Sequence, residues 1–128
     1  MLGDLPLVSI IIPTFRRPEA ALEAIYTVRS QSYQNWEVII VDDNPPQSEA
    51  REQTRSLLSS FVNDQIHYIE HDENRGACAA RNTGVKNSSG SLIAFLDDDD
   101  LWAPEKLKRQ VNALLSNNST CICICSVL

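Results

Sequence analysis

The stretch Ile93-Ala94-Phe95-Leu96-Asp97-Asp98-Asp99-Asp100-Leu101-Trp102-Ala103-Pro104 runs a short apolar segment straight into four consecutive carboxylates, then into a Trp-x-Pro helix start. Four adjacent acids repel one another, and ordinary packing does not ask for them. A divalent cation cancels that repulsion. Hard cations such as Mg²⁺ take oxygen ligands, often one or two carboxylates together with substrate phosphates. The pattern points to a metal site at the carboxyl end of a buried strand, where open α/β sheets bind ligands. The plainer alternative is a solvated loop, with Asp100 capping a helix that begins near Pro104. The apolar strand ahead of the acids favours the metal site.

Working outward, strands and helices alternate. Leu7-Val8-Ser9-Ile10-Ile11-Ile12-Pro13 is a β-branched apolar run stopped by proline, a strand signal. Pro18 suits a first helical position, and Ala21, Leu22, Ile25 and Val28 repeat at helical spacing to about Ser32. Trp36 to Val41 reads as a second strand, and Ser48 to Phe61 as a polar helix with Leu57, Leu58 and Phe61 inward. Gln65 to Ile69 is a short strand. Asn74-Arg75-Gly76 opens a small-residue helix that stops at Asn87-Ser88-Ser89-Gly90. Ser91 to Leu96 is the strand feeding the acids, and Pro104 to Ser116 a helix with Leu107, Val111, Leu114 and Leu115 on one side. Thr120 to Val127 reads as a last strand. This alternation predicts an α/β fold with a mainly parallel sheet and right-handed crossovers.

The chain has 128 residues, 43% of them hydrophobic, which is one domain or part of one. Its net charge of −6 argues against a nucleic-acid partner. No apolar stretch reaches membrane-span length, and Met1 to Pro6 lacks the basic segment and long apolar core of a signal peptide. The expected location is cytoplasmic, with peripheral attachment to the inner face of the membrane as the variant. Cys121, Cys123 and Cys125 alternate with Ile122 and Ile124, so both faces of the last strand are apolar. With no Cys-x2-Cys knuckle they read, with Cys78, as buried, reduced, structural cysteines. A buried strand of this kind with nothing after it predicts truncation at the C-terminus of a larger protein.

Three strand ends carry unusual polar chemistry: Pro13-Thr14-Phe15-Arg16-Arg17, Asp42-Asp43-Asn44 and Asp97 to Asp100. In a parallel sheet they share one edge and frame one cleft. A nucleoside diphosphate fits it, with a ring or proline packing the base, a carboxylate accepting base N–H groups, and a metal neutralising the diphosphate. The four glycines, Gly3, Gly76, Gly84 and Gly90, form neither the dinucleotide fingerprint nor the P-loop. An EF-hand fails as well: counting from Asp97, the fifth ligand position is Leu101 and the glycine position is Trp102.

On these motifs the chain resembles a family-2 glycosyltransferase of the GT-A fold, the Rossmann-like α/β/α sandwich whose members move sugars from nucleotide-diphosphate donors with inversion. The resemblance runs from Val8 to about Cys125. It rests on Val8 to Phe15, Val38 to Asp43, Asn74 to Gly84 and Phe95 to Pro104, in that order. It implies that residues 1–128 form one donor domain without the acceptor part. Pro13 and Phe15 then line the base pocket, where their alternatives are strand termination and core packing. Asp43 bonds the base, usually uracil N3–H; a turn cap before Pro45-Pro46 is its alternative. Arg75 lies near the diphosphate, or else pairs with Asp72 or Glu73. Arg81 pairs with the acid run. Asp99 contacts the metal, Mg²⁺ or Mn²⁺; Asp98 holds the ribose or donor sugar; Asp97 positions either; Asp100 caps the helix. Trp102 and Pro104 close the loop over the strand end.

The implied reaction is in-line displacement at the anomeric carbon by an acceptor hydroxyl, of a glycan or lipid-linked glycan. The family's general base lies beyond the acid run, so no catalytic base is assigned up to Leu128. Two other readings stay open. One is a nucleotide-sugar-binding domain without turnover. The other is a phosphatase or phosphomutase using a strand-end Asp-x-Asp; it expects Thr or Val where Leu101 stands and leaves Asp43 and Arg75 unexplained.

Overall fold

A computed structural model describes residues 5–116. The elements are β1 (Val8–Thr14), α1 (Pro18–Arg29), β2 (Trp36–Asp42), α2 (Glu49–Leu58), β3 (Ile66–Glu70), α3 (Ala77–Lys86), β4 (Leu92–Phe95) and α4 (Lys106–Leu115), with a 3₁₀ turn at Ser59–Phe61 after α2. The four strands form one parallel sheet in the order β3-β2-β1-β4. The expected strand over 120–127, with Cys121, Cys123 and Cys125, lies outside the described residues; Cys78, expected to be buried, is exposed in the first turn of α3, whose packed side is set by Ala80 and Gly84.

Alternate residues of the strands divide two faces. Ile10 and Ile12 of β1 and Val38 and Ile40 of β2 join Ala21, Ile25 and Val28 of α1, Leu58 of α2 and Leu107 and Val111 of α4 in the main core. On the other face Ile39 and Val41 pack with Ala80 of α3. Helices on both faces account for the continuous apolar runs in β1 and β2. Gly84 lets α3 press onto this second face: a Cβ there would lie 2.4 Å from Ile11 Cγ2.

Local chemistry sets the ends. Pro18 opens α1, with Glu19 in its first turn and Arg29 in its last, charges that suit the helix dipole. The Ser48 hydroxyl accepts the Arg51 N–H at 3.1 Å and caps α2. Three expectations need correction. Asp100 does not cap the last helix: α4 begins at Lys106 after Glu105, and the Asp100 N–H instead closes a turn on the Asp97 carbonyl at 3.0 Å. Leu115 is 57% exposed, off the inward stripe of α4. Of the three residues expected inward from α2, only Leu58 is fully buried; Phe61, carried past the helix end by the 3₁₀ turn, packs partly buried against the core, with Arg29 over its ring and Tyr26 edge-on.

The sheet order creates the site. The chain moves outward from β1 to β2 and β3, then returns to place β4 on the opposite side of β1. The carboxyl ends of β1 and β4 therefore flank a topological switch point, where a crevice opens.

Candidate functional site

A cleft of about 430 Å³ opens at this switch point, and its walls include Pro13, Phe15, Arg17, Asp43, Arg81 and Asp97 to Asp99. Three strand ends that are far apart in sequence thus meet in one place.

The β1 end supplies one wall. Phe15 is 37% exposed, not core, and Arg16 lies over its ring at 4.9 Å. Arg16 has a left-handed backbone (φ 60°), and its N–H donates to Asn44 Oδ1 at 2.8 Å. The Asn44 side chain, anchored on the Asp42 carboxylate, so holds the tip of β1 against the end of β2.

Asp43 sits at the β2 end, nearly buried. Its Oδ1 accepts from the Arg75 N–H and faces His71 Nδ1, each at 2.8 Å, and its Oδ2 accepts from Asn74 Nδ2 at 2.9 Å and the Gly76 N–H at 2.8 Å. The carboxylate therefore organises the whole turn into α3. Gly76 has φ +97°, a conformation that L side chains rarely adopt, which is why glycine stands there. Beyond Asp43, His71 Nε2 meets the Thr83 hydroxyl at 2.7 Å. The Arg75 guanidinium turns outward to Asp72 (2.8 Å) and Glu73 (3.8 Å), and only its backbone N–H faces Asp43.

A buried ion network underlies this corner. Arg51 is 3% exposed; it donates to the carbonyls of Asp42, Asn44 and His71, and its Nε lies 3.2 Å from Asp42 Oδ2. Tyr68 donates to the same Asp42 carboxylate. Burial first, then that hydrogen bond, pushes the Tyr68 hydroxyl well above its ordinary pKa.

The acid run after β4 splits in two directions. Asp98 turns inward: its Oδ2 accepts from the Thr14 hydroxyl at 3.1 Å and faces the Phe15 N–H at 3.5 Å. Burial raises its carboxyl above the usual aspartate value, and the donors from Thr14 and Phe15 and the charge of Arg17 offset only part of this. Asp97, Asp99 and Asp100 turn outward, and one carboxylate oxygen from each lies within 4.8 Å of the others. An all-oxygen, all-carboxylate set of this kind fits a hard divalent cation such as Mg²⁺ or Mn²⁺. Two arginines meet the run: Arg81 Nη2 lies 2.9 Å from Asp97 Oδ1, the pairing expected for it, and Arg17 Nη1 lies 2.8 Å from Asp99 Oδ2.

Pro13, Phe15, Asp43, Asp97, Asp98 and Asp99 thus share one cleft, while the Arg75 side chain lies outside its walls. Arg17, Asn74 and His71 were not singled out by sequence reasoning as site residues. Arg17 and Asn74 lie inside stretches quoted for their chemistry, Pro13 to Arg17 and Asn74 to Gly84, so membership of those stretches is the available signal; His71 carries none.

The Glycosyl transferase family 2 sequence model matches residues 9–127, and the chain belongs to that family. It is 43% identical over 102 residues to the putative colanic acid biosynthesis glycosyl transferase WcaA of Escherichia coli, covering 80% of this chain and 36% of that protein. It is 38% identical over 112 residues to the Escherichia coli UDP-Glc:alpha-D-GlcNAc-diphosphoundecaprenol beta-1,3-glucosyltransferase WfgD, covering 88% of this chain and 42% of that one. The chain therefore spans well under half the length of these relatives. Among solved structures, the mannosyltransferase PcManGT of Pyrobaculum calidifontis, in complex with GDP-Man and Mn²⁺, superposes with a TM-score of 0.74 at 25% identity, over 88% of this chain and 33% of that one. S. aureus TarS in complex with UDP gives 0.70 at 22% identity, over 85% and 32%. The fold is GT-A.

Proposed function

We propose that the chain is the donor-binding domain of an inverting glycosyltransferase, which moves a sugar from a nucleotide-diphosphate sugar, a UDP-sugar in the first instance, to an acceptor hydroxyl. The observation that carries this reading is the convergence of Pro13 and Phe15, Asp43, and the acid run on one cleft at the switch point. In this reading the ring of Phe15 and the side of Pro13 pack the base. Asp43 accepts a base N–H, which takes the place of one of the four donors now around it. Asp98 orients the ribose or donor sugar from its anchor on Thr14. Asp99, with Asp97 and Asp100, holds the cation, Mg²⁺ or Mn²⁺. When bound, such an ion neutralises charge that develops on the departing diphosphate. Arg75 contributes through its backbone N–H to Asp43, which shapes the floor under the diphosphate.

The general base and the acceptor site are assigned to the part of the longer relatives that this chain does not span. The names of those relatives support a surface polysaccharide or lipid-linked glycan as acceptor, and hence work at the inner face of the membrane. Among the described residues no helix is long and apolar enough to cross a membrane.

Calorimetric titration with UDP and GDP, with and without Mn²⁺, tests the binding half. The expected result is UDP binding that requires the cation. Indifference to both nucleotides and to manganese would end the reading. Sugar transfer by the full-length protein then separates enzyme from binder.

A further inference from the structure

Arg17 is an acid-run contact that the reading above leaves without a role. The left-handed turn at Arg16, pinned by Asn44, carries the next residue across the cleft mouth. Arg17 Nη1 lies 2.8 Å from Asp99 Oδ2 and 3.7 Å from Asp98 Oδ1. Asp99 is also one of the three carboxylates, with Asp97 and Asp100, whose oxygens cluster closely enough to hold an ion. A guanidinium and a divalent ion against one carboxylate repel each other, so the two compete for Asp99. The pair is open to water, 54% exposed on Arg17 and 55% on Asp99, so the contact is weak and readily exchanged. The planar fork of arginine suits phosphate oxygens as well as carboxylates.

We propose that Arg17 is an exchangeable counter-charge: it neutralises Asp99 while the cleft is empty, yields that carboxylate to an entering divalent cation, and then turns its guanidinium to the diphosphate of the nucleotide as a positioning residue. This rests on the nucleotide-sugar reading of the cleft. It makes Arg17 an opponent of the metal in the empty protein and a support of the nucleotide in the loaded one. Removing it therefore acts on the two affinities with opposite sign, which a merely structural residue would not do. The exchange also favours an order of events, cation before nucleotide, because the guanidinium is released only when the ion has taken its place.

The test titrates the 128-residue chain and three variants, Arg17→Met, Arg17→Lys and Arg29→Met, first with Mn²⁺ alone and then with UDP at saturating Mn²⁺. Free Mn²⁺ is followed by its paramagnetic resonance signal and UDP by calorimetry. Arg17→Met is expected to bind Mn²⁺ about two- to fivefold more tightly, the range for an exposed ion pair removed. It is expected to bind UDP at least about tenfold more weakly, the loss of a charge-assisted hydrogen bond. Arg17→Lys retains the charge and is expected to restore wild-type Mn²⁺ affinity and part of the UDP affinity. Arg29, which stacks on Phe61, controls for the loss of one positive charge elsewhere and is expected to move neither. Circular dichroism and the melting midpoint verify folding; should Arg17→Met fail to fold, the Lys variant carries the comparison by its loss of UDP affinity at unchanged Mn²⁺ affinity. Any result in which the two affinities of Arg17→Met fall together, or in which either stays unchanged, overturns the exchange. If the wild-type chain binds UDP with Mn²⁺ in that case, the nucleotide-sugar reading stands without it. A wild-type chain that binds neither Mn²⁺ nor UDP overturns both.

Discussion

The Thr14 hydroxyl donates to Asp98 across 84 residues of sequence, at 3.1 Å. The tip of β1 and the acid run after β4 are therefore one unit, joined by a carboxylate taken partly out of water. That burial raises the Asp98 carboxyl above its ordinary value. A carboxyl whose folded value exceeds its unfolded value favours folding at low pH, and this contribution is lost as pH rises through the folded value. Asp98→Asn lacks that loss. Its melting midpoint should exceed wild type near neutrality, and the difference should shrink as pH falls toward the ordinary aspartate range, while UDP affinity drops. Thermal melts across that range decide; a variant less stable than wild type at pH 7 would show that the ionised group is worth more to the fold than its burial costs.

Asp99 stands in the opposite situation, 55% exposed with a single arginine contact. Asp99→Ala should leave the fold intact, with stability within about 0.5 kcal/mol of wild type. Removal of groups that merely orient metal ligands lowers affinity about 10–100-fold, so loss of the ligand itself should weaken Mn²⁺-dependent UDP binding by at least that much. Calorimetry with and without Mn²⁺ measures it, and unchanged affinity would remove Asp99 from the metal role.

Arg51 and Asp42 form a buried pair beneath Asp43, at 3% and 0% exposure. Arg51→Met leaves the Asp42 carboxylate without its cation and the Asp42, Asn44 and His71 carbonyls without a shared donor. The expected loss is about 3–5 kcal/mol, read as a lower urea midpoint at unchanged slope. A loss under about 1 kcal/mol would mean that Tyr68 and Asn44 satisfy Asp42 without help.

Gly84 to Ala should be costly for a different reason. The added methyl would sit 2.4 Å from Ile11 Cγ2 and 2.9 Å from its Cγ1, in a packed layer between α3 and the sheet. Overpacking of this kind costs about 1–3 kcal/mol. Ile11→Ala clears the space, so the double variant should be more stable than the sum of the two single losses. Simple additivity in denaturant titrations would show that α3 shifts away instead.

Much of this was legible in the chain. The strands announced themselves as β-branched runs ending at Pro13 and Asp42 and an apolar run ending at Asp97, and their alternation with helical patterns pointed to a parallel sheet. The shared edge of a parallel sheet placed Asp43 and the acid run on one cleft, and the family resemblance then assigned their roles. The order β3-β2-β1-β4 was not legible from periodicity, because parallel strands buried on both faces carry the same pattern wherever they stand. Nor was the partner of each charged residue. Arg51 lies in a helix that reads as polar, and only tertiary structure buries it. Arg75 had two readings that local sequence could not separate, and the side chain lies with Asp72 and Glu73. Asp100 had the residue type of a cap but the wrong distance, since Leu101 to Glu105 intervene before α4 begins.

Unequal strand lengths shape the rim of the sheet. β4 ends at Phe95, opposite Ile11, while β1 continues through Ile12 and Pro13 to Thr14. The upper rim of the sheet therefore has a notch roughly 10 Å deep, three residues at strand rise. Leu96 still donates its N–H to the Ile11 carbonyl, but the chain leaves the ladder after it, and Asp98 turns back to the Thr14 hydroxyl across the gap. Had β4 run level with its neighbour, those side chains would alternate above and below the sheet instead of gathering at a single opening. The early stop of one short strand is thus what turns a row of like charges into a receptacle.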